Sequence, residues 1–246
     1  MAAPDHLAHL RADTVAFAAT LDDTTLDLPV PSCPGWDLRT LAGHLGWVHR
    51  WAAAAVGTGA EPDVASLDGP PEPARELAAW IVAGGEALAD RLASVGPDSP
   101  TWHPFPVARV AGVWRRRQAQ ETSVHRWDAQ STVGVPEPIA ADLAADGVGE
   151  YFEVMLPRRF AREGTSPPAR PEWLHLEATD VVGSWWVRAE GAEVQLGHPG
   201  GGAPDATLVG RAEDLQLVLC ARRPAGVLSA AGDPTLLAAW LALGGN

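Results

Sequence analysis

The sequence predicts a two-domain α+β protein, an up-and-down four-helix bundle followed by a small α+β domain. Three observations lead there. Long segments with apolar residues at three- and four-residue spacing occupy residues 1–160. A run rich in Pro, Arg and small polar residues, 161–171, reads as a linker. Residues 172–246 then carry short strand-like runs with turn signals between them, followed by helical spacing again.

In chain order, residues 4–22 place Leu7, Leu10, Val15, Ala18 and Leu21 at roughly helical spacing. A turn at Pro34-Gly35 leads to Asp37, a helix N-cap, and to a second helix with the apolar stripe Leu38, Leu41, Leu45 and Val48. His44, Trp47 and Trp51 form a neighbouring stripe. The third helix spans 74–95, with its middle weakened at Gly84 and Gly85 by about 1 kcal/mol per glycine. The fourth runs over 108–131, and a fifth over 139–160 follows Pro136 and Pro138. Beyond the linker, strands are expected at 173–178, 185–189 and 194–196, with 206–209 as a candidate fourth. Glu190-Gly191 forms a tight turn between the second and third strands, and helices are expected at 213–221 and 234–243.

With 246 residues and 46% hydrophobic content, the chain can bury a substantial core. Its net charge of -13, with no lysine, argues against nucleic acid or an anionic membrane as partner. Two cysteines, Cys33 and Cys220, are too few for a disulfide framework and suit a reducing cytosol. No basic-then-apolar leader and no apolar run of membrane-spanning length occur, so a soluble cytoplasmic protein is expected. The oligomeric state is left open.

The chemistry concentrates on the fourth helix. Glu121 and His125 are at i, i+4 spacing, which stacks them on one helical face. Helical bundles build metal sites from facing helices, and His44 on the second helix is the natural third ligand. Three protein ligands leave a fourth position open, as in catalytic zinc sites. Asp128, three residues beyond His125, is placed to accept the second ring N–H of a ligand histidine. Plainer readings compete: a single Glu-x-x-x-His is commonly an exposed polar pair, and tryptophans such as Trp47, Trp51, Trp114 and Trp127 are commonly core. Arg115, Arg116 and Arg117 read as a largely solvated face, and His6, His9, His49 and His103 show no partner pattern. Cys33, beside a helix N-terminus, is a candidate nucleophile, with a small buried residue as the favoured reading.

The segments CPGWDLRTLAGHLGWVHRWA and ETSVHRWDA resemble the two signatures of the mycothiol-dependent maleylpyruvate isomerase family, part of the wider DinB-like metal-binding bundles. By that resemblance the metal ligands fall on His44, Glu121 and His125, the trio reached above from spacing. The resemblance implies a zinc or other divalent ion, and mycothiol as thiol cofactor or co-substrate. It also implies a sterol-carrier-like second domain, whose motifs WLHLEATD, SWWVRAEG and ATLVGRAEDLQLVLCARR resemble. A C-terminal arginine of the family closes over the site; the nearest match is Arg222, with Arg223 as rival. One departure is Glu177, in a place where relatives often carry histidine. The function so implied is cis–trans isomerisation of, or thiol transfer to, a small electrophilic substrate bearing a carboxylate, which an arginine fork would anchor. Two other functions remain open: a hydrolase activating a zinc-bound water, and a non-catalytic small-molecule binding protein.

Overall fold

The computed structural model describes residues 3–161, 167–169, 171–197 and 200–244. Most of the linker expected at 161–171 therefore lies outside the described residues. Two compact units form, one from Asp5–Pro104 and Ala108–Ile139, the other from Phe105–Val107 with the described residues from Ala140 onward and those before Asp5. Among the described residues no helix is long and apolar enough to cross a membrane.

The first unit holds four helices: α1 (His6–Ala18), α2 (Leu38–Thr58), α3 (Ala74–Ala93) and α4 (Ala111–Val133). Both α1 and α2 pack against α3 and α4. The consecutive helices α1 and α2 are thus joined mainly through the other two, and the long connection 19–37 spans the gap. Helix α1 buries Leu10, Thr14 and Phe17, an i, i+4, i+7 set, while the expected core residue Val15 is 53% exposed and lies off that face. In α2 the Asp37 carboxylate accepts the Thr40 amide at 2.7 Å, and Leu38, Leu41 and Leu45 are fully buried. The glycine pair in α3 reflects close packing: a Cβ on Gly85 would stand 2.7 Å from Thr14 of α1. Across the α2–α3 contact a Cβ on Gly46 would stand 2.0 Å from the Trp80 ring. Helix α4 is buried on nearly every side, and this places polar residues from Arg117 to Asp128 inside the bundle.

The second unit opens with α5 (Ala141–Glu150), a wider π turn (Tyr151–Met155) and α6 (Leu156–Phe160). These residues fall within the span 1–160 assigned to the bundle from sequence, yet they pack into the core of the following sheet. Val148, Phe152, Leu156 and Phe160 all enter that core at four-residue steps. In an unbroken α-helix such a series drifts by about 40° per step. The π turn absorbs one residue and keeps the four on one face.

The sheet comprises β1 (Leu174–Ala178), β2 (Ser184–Glu190), β3 (Glu193–Leu196), β4 (Ala206–Gly210) and β5 (Ser229–Gly232), in the order β3-β2-β1-β4-β5. Among the described strands only β1 and β4 run parallel. Gly191, at φ 59°, makes the β2–β3 turn. Helices α7 (Ala212–Leu219) and α8 (Pro234–Leu241) complete the unit, with Leu215, Leu236 and Trp240 in the shared core. Strand β5 was not expected from sequence: Ser-Ala-Ala-Gly is exposed and low in β-propensity, and it forms through its backbone pairing with β4.

Candidate metal centre

The burial of Leu38, Leu41 and Leu45 fixes the rotation of α2, and His44 stands on the edge of that face. Glu121 and His125 rise from α4, one turn apart. His44 Nε2 lies 3.0 Å and His125 Nε2 3.3 Å from Glu121 Oε1. The two imidazole rings stand 5.3 Å apart at 87°. Their side chains are 32% exposed for His44, 15% for Glu121 and 5% for His125, so the cluster opens on the His44 side.

These residues fit a divalent cation. Three atoms each about 2.0–2.1 Å from one ion lie roughly 3–3.5 Å apart, and both pairs that share Glu121 Oε1 do. Two imidazole nitrogens and one carboxylate oxygen also leave a position for a further ligand. His125 Nδ1 is 2.9 Å from Asp128 Oδ2. With Nδ1 donating to Asp128, Nε2 is the nitrogen directed at Glu121 and the one a cation would take in place of its proton.

Burial raises the Glu121 carboxyl, but the His125 charge, hydrogen bonds from His125 and His44, and Arg117 outweigh it and hold Glu121 well below the usual carboxylate range. Burial lowers His125. The Glu121 charge and hydrogen bonds with Asp128, Cys33 and Glu121 reverse this and hold its proton well above the usual imidazole range. A cation binding here competes with that proton, so its affinity rises with pH.

Several participants were not read from sequence. Arg117, taken as part of a solvated face, is buried and donates Nη2 to Glu121 Oε2 at 3.0 Å. Arg115 likewise turns inward, to the carbonyls of Leu92 and Val95. Cys33, read as a small buried residue, is half-buried and donates Sγ to Asp128 Oδ2 at 3.6 Å, and Ser32 Oγ donates to Asp128 Oδ1 at 2.6 Å. His49 is fully buried with Nε2 at 2.9 Å from Thr122 Oγ1. No local signal marks these pairs, since Ser32 and Asp128 are 96 residues apart. The buried side of Arg117 was legible only from its i, i+4 spacing to Glu121.

Residues 7–130 match the family model described as the mycothiol maleylpyruvate isomerase N-terminal domain. The chain belongs to this family. The matched span contains all three candidate ligands and Asp128. Beyond it, the mycothiol-dependent maleylpyruvate isomerase fold extends to most of the chain. A crystal structure of that isomerase in a histidine-to-alanine mutant aligns at TM-score 0.60 and 12% identity, covering 94% of this chain and 96% of that one. A second crystal structure of the isomerase aligns at TM-score 0.56 and 13% identity, with the same coverage. No curated protein matches the sequence significantly.

In the second unit, Arg222 and Arg223 follow α7. Arg223 is held by Glu213 and Asp214, and Arg222 Nη1 donates to the Cys220 carbonyl at 2.8 Å. Both line a shallow cavity with Val218, Ala221, Pro224, Ala225 and Leu241. Glu177 is exposed on β1, paired across the sheet with Ser184 and Val209.

Proposed function

We propose that this protein is a divalent-metal-dependent enzyme that uses mycothiol to isomerise, or to form an S-conjugate with, a small electrophilic substrate bearing a carboxylate. The observation behind this reading is the convergence of His44, Glu121 and His125 on one point, within a family that takes its name from a mycothiol-dependent isomerase. Those three residues would hold the ion, zinc being the fit for a nitrogen-rich set of this size. Bound there, zinc lowers the pKa of a thiol and so raises the thiolate fraction near neutral pH, and mycothiol provides that thiol.

The chain's own residues prepare the site. Asp128 holds the His125 Nδ1 proton, and Arg117 occupies Glu121 Oε2, so that His125 Nε2 and Glu121 Oε1 remain the presented ligand atoms. Trp36 stands against the His44 ring and shields it from water on one side. Arg222 is our candidate for the anchor of the substrate carboxylate, because a guanidinium fork pairs with a carboxylate bidentately.

Elemental analysis of the purified protein, followed by turnover of a cis-configured unsaturated dicarboxylate with and without mycothiol, tests the reading. Bound zinc with strictly thiol-dependent turnover is the expected result. Full turnover with metal bound and no thiol would replace it with the hydrolase, and a metal-free protein that binds an apolar ligand would replace it with a binding module.

A further inference from the structure

Resting on the metal-centre reading above, one short segment reaches both histidines at once. The loop 31–36, Pro-Ser-Cys-Pro-Gly-Trp, precedes α2 and is closed on itself: the Val30 amide donates to the Trp36 carbonyl at 2.9 Å, and the Trp36 amide to the Cys33 carbonyl at 3.0 Å. Gly35 takes φ 85°, a left-handed conformation that closes the turn at little cost for glycine. From this frame Ser32 and Cys33 occupy one oxygen each of the fully buried Asp128 carboxylate. Asp128 Oδ2 in turn meets His125 Nδ1. The Trp36 ring stands 5.0 Å from the His44 ring, tilted by 56°.

Each contact restrains a different degree of freedom. A carboxylate with one hydrogen-bonded partner can rotate about its last torsion, whereas donors on both oxygens fix its plane and therefore the direction from which it meets the imidazole. A ring packed against His44 limits rotation about the second side-chain torsion of that histidine, which is broad and weakly restrained on its own. We propose that the loop 31–36 is the positioning element of the metal centre: Ser32 and Cys33 orient His125 through Asp128, and Trp36 orients His44. In this role Cys33 acts as a hydrogen-bond donor and not as a ligand or nucleophile.

The test uses the full-length protein and competition for Zn²⁺ with a chromophoric chelator, alongside the visible spectrum of the Co²⁺-loaded form. Ser32→Ala combined with Cys33→Ala is expected to weaken metal binding by about 10- to 100-fold, each single change by less. Cys33→Ser, which keeps a donor, is expected to recover most of the affinity. Trp36→Leu is expected to weaken binding, with Trp36→Phe close to wild type. Circular dichroism and the urea midpoint of the metal-free variants identify any that fail to fold, and for those Cys33→Ser and Trp36→Phe provide the comparison.

Folded double variants that bind Zn²⁺ as tightly as wild type would overturn the proposal. So would a sulfur-to-cobalt charge-transfer band in the wild type that disappears in Cys33→Ala, since Cys33 would then be a ligand itself. A wild-type protein that takes up no metal would remove the metal-centre reading, and the loop's role with it.

Discussion

Arg117 Nη2 and Glu121 Oε2 meet at 3.0 Å, one helical turn apart and almost entirely out of solvent. The pairing leaves Glu121 with one oxygen directed to the two histidines. Arg117→Gln is expected to free Oε2, let the carboxylate rotate, and weaken zinc binding by about 10-fold or more. Arg117→Lys, which restores the charge without the planar fork, is expected to lie between. Chelator competition checks both, and an unchanged affinity in Arg117→Gln would show that the guanidinium is only a structural cation.

The ligands have a simpler expected outcome. His44 is partly exposed, so His44→Ala should fold while losing both metal and turnover. Metal content per chain and thiol-dependent activity are read on the same preparation. Full activity in a metal-free His44→Ala protein would remove the metal from the reaction.

Arg222→Ala is expected to leave the metal content unchanged and to lower kcat/KM for a carboxylate-bearing substrate by about 10-fold or more, the loss expected for a hydrogen bond to a charged group. Arg222→Lys should recover part of it. An effect of the same size on an uncharged ester analogue would argue against carboxylate anchoring.

His49 makes stability sensitive to acid. Burial pushes its pKa from 6.5 down to about 3 in the folded protein. The unfolded chain therefore binds this proton first, and stability falls as pH drops from 6.5 towards 3. His49→Gln can keep the contact to Thr122 while removing the titration. It is expected to flatten the stability-versus-pH curve over that window by up to about 1.4 kcal/mol per pH unit, measured by urea unfolding of the metal-free protein. Parallel curves for the two proteins would place the acid sensitivity elsewhere.

Packing supplies a test of the fold itself. In Gly46→Ala the new methyl would stand 2.0 Å from Trp80, whose own face carries the Arg50 guanidinium at 3.8 Å. Overpacking of about 1–3 kcal/mol should outweigh the roughly 1 kcal/mol gain in helix propensity. The urea midpoint should drop; a rise would mean that the indole yields freely.

What the sequence disclosed followed periodicity. The i, i+4 pair Glu121/His125 and the leucine stripe that orients His44 repeat at helical spacing, so both were legible without a structure. The connection 31–36 carries no period, and its tie to Asp128 is a property of how α2 and α4 pack. Arg117 looked solvated because three consecutive arginines resemble a surface, whereas a helix surrounded on nearly all sides has little surface to offer. Strand β5 was silent because its residues contribute backbone pairing and no buried side chains. Residues 141–160 read correctly as helical, but helical spacing alone does not say which core an apolar face joins.

The wide turn at Tyr151–Met155 makes one stretch of this chain tolerant of a change in length. Removing a single residue there would tighten it to ordinary helical pitch and leave the faces on either side in phase. The same deletion at Ala144 or Ala145 would turn everything downstream by about 100° and swing Leu156 and Phe160 away from the sheet. Single-residue deletions in natural or engineered variants of this helix should therefore concentrate within those five residues.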